Sequence, residues 1–177
     1  MVNQKFLGLT GLMLASAFAL DLGATPASAA TMASAAAAAK ATSPHRYVDV
    51  AASAALYQVE AAKLAERRAR SSKVRALAKA QKDVGYGIGG QLSWAGRRVN
   101  ALPDNVLTAK HQRMLDTLAR SSNFDATYLA QAKALVPEMR QFHESYATSG
   151  GSATLRPVAQ FGAAKMRDQE VALQRLN

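Results

Sequence analysis

Residues 47–65 read YVDVAASAALYQVEAAKLA, and the apolar positions in that stretch decide the fold. Val48, Ala52, Leu56, Val59 and Ala62 recur at intervals of three and four, and Leu64 continues the same side. Such spacing gathers side chains on one face of a 3.6-residue helix, whereas a strand would alternate its faces at every residue. Upstream, Ser43-Pro44 supplies a start: a serine side chain accepts from amides that lack a helical partner, and proline is tolerated at the first helical position. Ser71-Ser72 interrupts the run.

The same period continues outward toward the C-terminus. A second helix carries Val74, Leu77, Gln81, Ile88, Leu92, Ala95 and Val99 on its inward side, and the turn cluster Asn100–Asn105 (NALPDN) ends it. Val106 to Ala119 reads as a shorter helix with Leu107, Met114, Leu115 and Leu118. Ser121-Ser122-Asn123 caps the next, whose stripe is Phe124, Tyr128, Ala132, Leu135, Met139, Phe142 and Tyr146. Pro137 should kink that helix, because it lacks an amide proton. After the loop TSGGS at 148–152, a last helix presents Leu155, Val158, Gly162, Met166, Leu173 and Leu176, with Pro157 in its first turn. No segment alternates with period two for long enough to be a strand. The expected fold is all-α: an antiparallel four-helix bundle with one extra short helix, over residues 43–177.

Toward the N-terminus the pattern changes. Lys5 precedes an uncharged apolar run from Phe6 to Leu20, and Ala27-Ser28-Ala29 gives the small-x-small pattern of a signal-peptidase site. That run is shorter than the roughly 20 residues a membrane-spanning helix needs. Residues 1–29 are therefore expected to be a signal peptide cleaved near Ala29, with a periplasmic or secreted product that keeps no transmembrane helix. No cysteine follows to carry a lipid anchor. Residues 30–42 (ATMASAAAAAKAT) offer no apolar stripe and read as an alanine-rich spacer.

Composition then narrows the chemistry. The chain of 177 residues has no cysteine, which removes disulfides, thiolate ligands and thiol nucleophiles. Its 22 Lys and Arg against 12 Asp and Glu give a formal charge of +10, which favours anionic partners. Export argues against nucleic acid. An anionic envelope polymer, lipid head groups or an acidic protein is the expected partner. Arg67, Arg68, Arg70, Lys73, Arg75 and Lys79 crowd the junction of the first two helices and are the candidate anion-binding residues.

Catalytic motifs are missing. Gly85-Tyr86-Gly87-Ile88-Gly89-Gly90 matches the dinucleotide string, with Asp104 about 20 residues on, but no strand precedes it and polar helix surrounds it. These glycines read instead as sites of close packing or bending. His45, His111 and His143 have no ligand partner at helical spacing and read as surface residues. No serine stands in a nucleophile context. No enzymatic activity and no cofactor are expected. Leu56, Glu60 and Leu64 share one line of the first helix, so Glu60 should face the interior or its margin, with Gln81 and Gln169 as possible hydrogen-bonding partners.

With those elements in order, the chain resembles the exported bacterial ferritin-like family labelled domain of unknown function 4142. The resemblance covers about Tyr47 to Leu176 and rests on residues 47–65, on KVRALAKAQ at 73–81 and on FDATYLAQAKA at 124–134. It implies a candidate metal site: a Glu-x-Glu in the first helix, an Asp-His pair in the second, and one histidine in each of the last two long helices. Carried over, those positions fall on Gln58 and Glu60, Val84 and Gly85, Val136, and Gln169, so Glu60 alone retains a ligand. A divergent metal protein would have to use Glu60 with Asp83, Glu138 or Asp168. The preferred expectation is a binding bundle without catalysis.

Overall fold

The computed structural model describes residues 42–176. The expected signal peptide, and the spacer apart from Thr42, lie outside the described residues. Five helices follow: α1 (Pro44–Arg68), α2 (Ser72–Arg97), α3 (Ala109–Arg120), α4 (Phe124–Ser149) and α5 (Arg156–Gln174). Among the described residues there is no strand, and no helix is long and apolar enough to cross a membrane.

Local chemistry sets most of the boundaries. Ser43 caps α1 by accepting from the Arg46 amide, with proline at the helix start, and Ser71 caps α2 by accepting from the Val74 amide. The third helix begins later than its apolar residues suggest. Thr108 takes the cap by accepting from the His111 amide, so Val106 and Leu107 stay in the connection, and Asn105 sits at φ 56°. Helix α4 continues through Pro137 from Phe124 to Ser149.

Long-range contacts fix the topology. Gln81 and Gln169 meet across α2 and α5, and a Cβ added at Gly87 would lie 3.7 Å from the Phe161 ring, so these helices run antiparallel. Tyr47 meets His143 and Tyr57 meets Gln131, so α1 and α4 are antiparallel as well. The square is closed by the hairpins α1–α2 and α4–α5. Helix α3 lies outside it, parallel to α1: Ser53 binds His111 near the start of α3, and Arg68 binds Leu118 near its end.

Helix α1 is the most enclosed element. Residues 51–55 are buried without interruption, because α2, α3 and α4 each take a side of it. Alanines and one serine fill that span and let the neighbours come close. The closest approach to α2 is at Gly85, where an added Cβ would lie 2.7 Å from the Ala55 carbonyl oxygen and 2.9 Å from Val59 Cγ2. Close packing is thus the role of this glycine.

Candidate functional site

Two polar regions stand out against this apolar frame: a buried network in the core and a cationic end. The core network begins with Gln58 and Gln169, each 3 % exposed. Their carboxamides pair reciprocally, Gln58 Nε2 donating at 3.1 Å and Gln169 Nε2 returning at 3.3 Å. Gln81 Nε2 donates to the same Gln169 oxygen at 3.2 Å, and Tyr128 donates its hydroxyl to Gln81 Oε1 at 2.6 Å. One chain of hydrogen bonds therefore crosses α1, α5, α2 and α4. Burial pushes the Tyr128 phenol well above its ordinary pKa, so it stays a donor.

Glu60 was expected at the interior or its margin, and it stands at the margin. Its side chain is 36 % exposed and takes Lys63 at 2.8 Å. Gln81 and Gln169 bind Gln58 and each other, not Glu60. The other acidic candidates are equally dispersed: Asp83 pairs with Lys79 at 3.0 Å, Asp168 with Lys165 at 3.5 Å, and Glu138 with Lys110. Among the described residues no group of three or more His, Cys, Asp or Glu could hold a metal ion. The positions carried over from the family agree. Gln58 and Gln169 satisfy each other, Val136 is fully buried, and Gly85 presses on Ala55. Neutral amides and hydrocarbon do not fit the carboxylate–imidazole centre that the resemblance implies.

Two histidines correct the surface reading. His111 is 3 % and His143 1 % exposed, while His45 is exposed. His111 Nδ1 lies 2.7 Å from Ser53 Oγ and 3.1 Å from Thr108 Oγ1, and its ring stacks on Tyr57. His143 Nδ1 lies 2.9 Å from Tyr47 Oη, and the Tyr47 ring stacks on Tyr146 at 3.8 Å between centroids. Burial lowers both imidazole pKa values, that of His143 to about 4. Serine and tyrosine hydroxyls give each ring a polar partner, which is what makes burying it tolerable.

At one end of the bundle, the close of α1, the start of α2, the close of α3 and the start of α4 come together. Arg68 donates to the carbonyls of Leu118, Ala119 and Ser121, and its guanidinium lies 5.0 Å from the Phe124 ring. Asp125 accepts from the amides of Arg70 and Ser71. Arg75 donates to the carbonyls of Ala69 and Arg70, and Lys79 is paired with Asp83. Of the six candidate anion-binding cations, Arg68, Arg75 and Lys79 are thus committed within the chain, and Arg67, Arg70 and Lys73 are exposed at this end. Arg120, the last residue of α3, arrives there too. Sequence reasoning missed it because only the packing of α3 on α1 brings it near.

The network gives a first expectation. Gln169→Leu keeps the volume but leaves the Gln58 and Gln81 amides short of their shared acceptor, at about 1–3 kcal/mol for each stranded group. Urea unfolding should show that loss, and a Gln58→Leu, Gln169→Leu double variant should lose less than the sum of its single variants.

Neither a curated protein nor a solved structure matches the chain. Residues 29–176 match the family described as Domain of unknown function (DUF4142), and the chain belongs to that family.

Proposed function

We propose that this protein is an exported, ferritin-like bundle that acts by binding, and that its cationic end docks onto an anionic component of the cell envelope. The observation that carries the reading is local charge. The stretches 67–75 and 118–125, which meet at that end, hold Arg67, Arg68, Arg70, Lys73, Arg75 and Arg120 against the single carboxylate Asp125. Asp125 is occupied by two backbone amides. Anionic lipid head groups, an anionic envelope polymer or an acidic protein would each meet the same field. The leader pattern at residues 1–29 supports a periplasmic or secreted location for the encounter.

The test is retention on vesicles of anionic lipid, vesicles of neutral lipid, and an anionic polysaccharide. Binding should weaken steeply as salt rises. Replacing Arg67, Arg70 and Lys73 by alanine should weaken it on the order of 100-fold, since each cation contributes about 1 kcal/mol near an anionic surface. Among the described residues these three carry no side-chain bond, so the fold should survive. Retention that ignores both salt and the triple substitution would remove the proposal.

A further inference from the structure

Met139, His143 and Met166 line one small chamber in the middle of the bundle, together with Gln58, whose Nε2 lies 3.8 Å from Met166 Sδ. It measures about 10 Å³, room for a single water-sized body or ion. The three side chains are 2 %, 1 % and 2 % exposed. Met139 and His143 stand four apart on α4 and so share a face. Met166 comes from α5, one turn beyond Gly162. The bare Cα of Gly162 is what seats the imidazole, because a Cβ there would lie 2.7 Å from the ring. His143 Nδ1 is taken by the Tyr47 hydroxyl, which leaves Nε2 as the ring nitrogen to offer an ion.

We infer that Met139, Met166 and the Nε2 of His143 form a binding site for one soft, monovalent cation, Cu(I) or Ag(I). Two thioethers and an imidazole are soft, uncharged donors, the set that selects Cu(I) over hard divalent ions. The chain has no cysteine, so methionine is its soft ligand. Charge decides in the same direction. Burying a cation without a counter-charge costs energy that rises with the square of its charge, so a neutral chamber tolerates one charge far better than two. Tyr47 would orient the ring: with Nε2 on the ion, Nδ1–H donates to Tyr47 Oη, the outer contact a ligating histidine requires. Burial keeps the ring free of a competing proton at neutral pH. This site shares no ligand with the carboxylate–imidazole centre discussed above.

The test is an anaerobic titration of the purified chain with Cu(I) against a chromogenic chelator, and a parallel titration with Ag(I). One equivalent of each ion should bind, and Zn(II) should not compete. The double variant Met139→Leu, Met166→Leu conserves volume and should keep the thermal midpoint. Its affinity should fall on the order of 100-fold with two of three donors gone. Met114→Leu, on α3 outside the chamber, should change nothing. Should the double variant fold poorly, the methionine methyl resonances of the unmodified chain decide: Ag(I) should shift Met139 and Met166. Absence of binding, unchanged affinity in a folded double variant, or shifts confined to other methionines would each overturn the assignment.

Discussion

Gly85→Ala is expected to lower the unfolding free energy by about 1–3 kcal/mol, the usual cost of forcing a methyl into a packed interface. Alanine ordinarily stabilises a helix interior over glycine by about 1 kcal/mol, so the sign here must come from packing. The new Cβ meets backbone: the Ala55 carbonyl lies 2.7 Å away, and α1 cannot yield without dragging its contacts with α3 and α4. Gly89 supplies the control within the same glycine run. Nothing lies within 4 Å of a Cβ built there. Gly89→Ala should therefore raise stability by about 0.4–1 kcal/mol through helix preference and the unfolded chain. Urea titrations of the two variants, run side by side, should move the midpoint in opposite directions. A gain at Gly85 would mean that α1 and α2 do not meet as closely as described.

Acidification is expected to be the second large effect. In the unfolded chain His143 takes a proton near its ordinary pKa of 6.5, whereas burial in the fold holds it to about 4. Below pH 6.5 the unfolded state then binds the proton and the folded state refuses it. Stability from this group is complete above about pH 6.5, falls as pH drops toward 4, and levels off below. The loss over that window is on the order of 3 kcal/mol. His111 shifts in the same direction and deepens the fall. Glu144, held low by Arg140 and Arg167, adds its own loss further down, where carboxylates take protons. Urea unfolding at pH 7.5, 6, 5 and 4 should trace the decline. His143→Gln, which cannot take the proton, should flatten the upper part of the curve.

The sequence was most readable where one residue acts on its own neighbourhood. Ser43 and Ser71 set helix starts by accepting from amides three residues on, and Pro44 fits the first helical position, so the start of α1 and the break before α2 could be read directly. Stripes of apolar residues likewise foretold the buried faces of α2 and α5. The errors came where a polar residue is made acceptable by a distant partner. Phe142 was placed inward because it is apolar, yet it is half-buried while its neighbour His143 lies in the core. The hydroxyl that admits His143 belongs to Tyr47, 96 positions away. Gln58 lost to Glu60 for a related reason. Glu60 lies on a visible line with Leu56 and Leu64, and all three proved marginal. Gln58 is explained by Gln169, which only the fold brings to it. For the cationic end, charge was legible but its availability was not, because the carbonyls that occupy Arg68 belong to another helix.

The carboxamide chain also bears on how a bundle without its last helix differs from one that has it. Gln58 and Gln81 lie in the first hairpin, while the acceptor they share, Gln169, lies in α5. A polypeptide that stops before α5 could still pair α1 with α2 and close α4 over them. It would then leave open to water the apolar face that α5 covers, with the Gln58 and Gln81 amides within it. Such a product would be prone to aggregate through that face, even though most of its helices had formed. The last turn and a half of α5 thereby joins the two hairpins: the polar groups of the core are satisfied only when α5 is seated on α1 and α2.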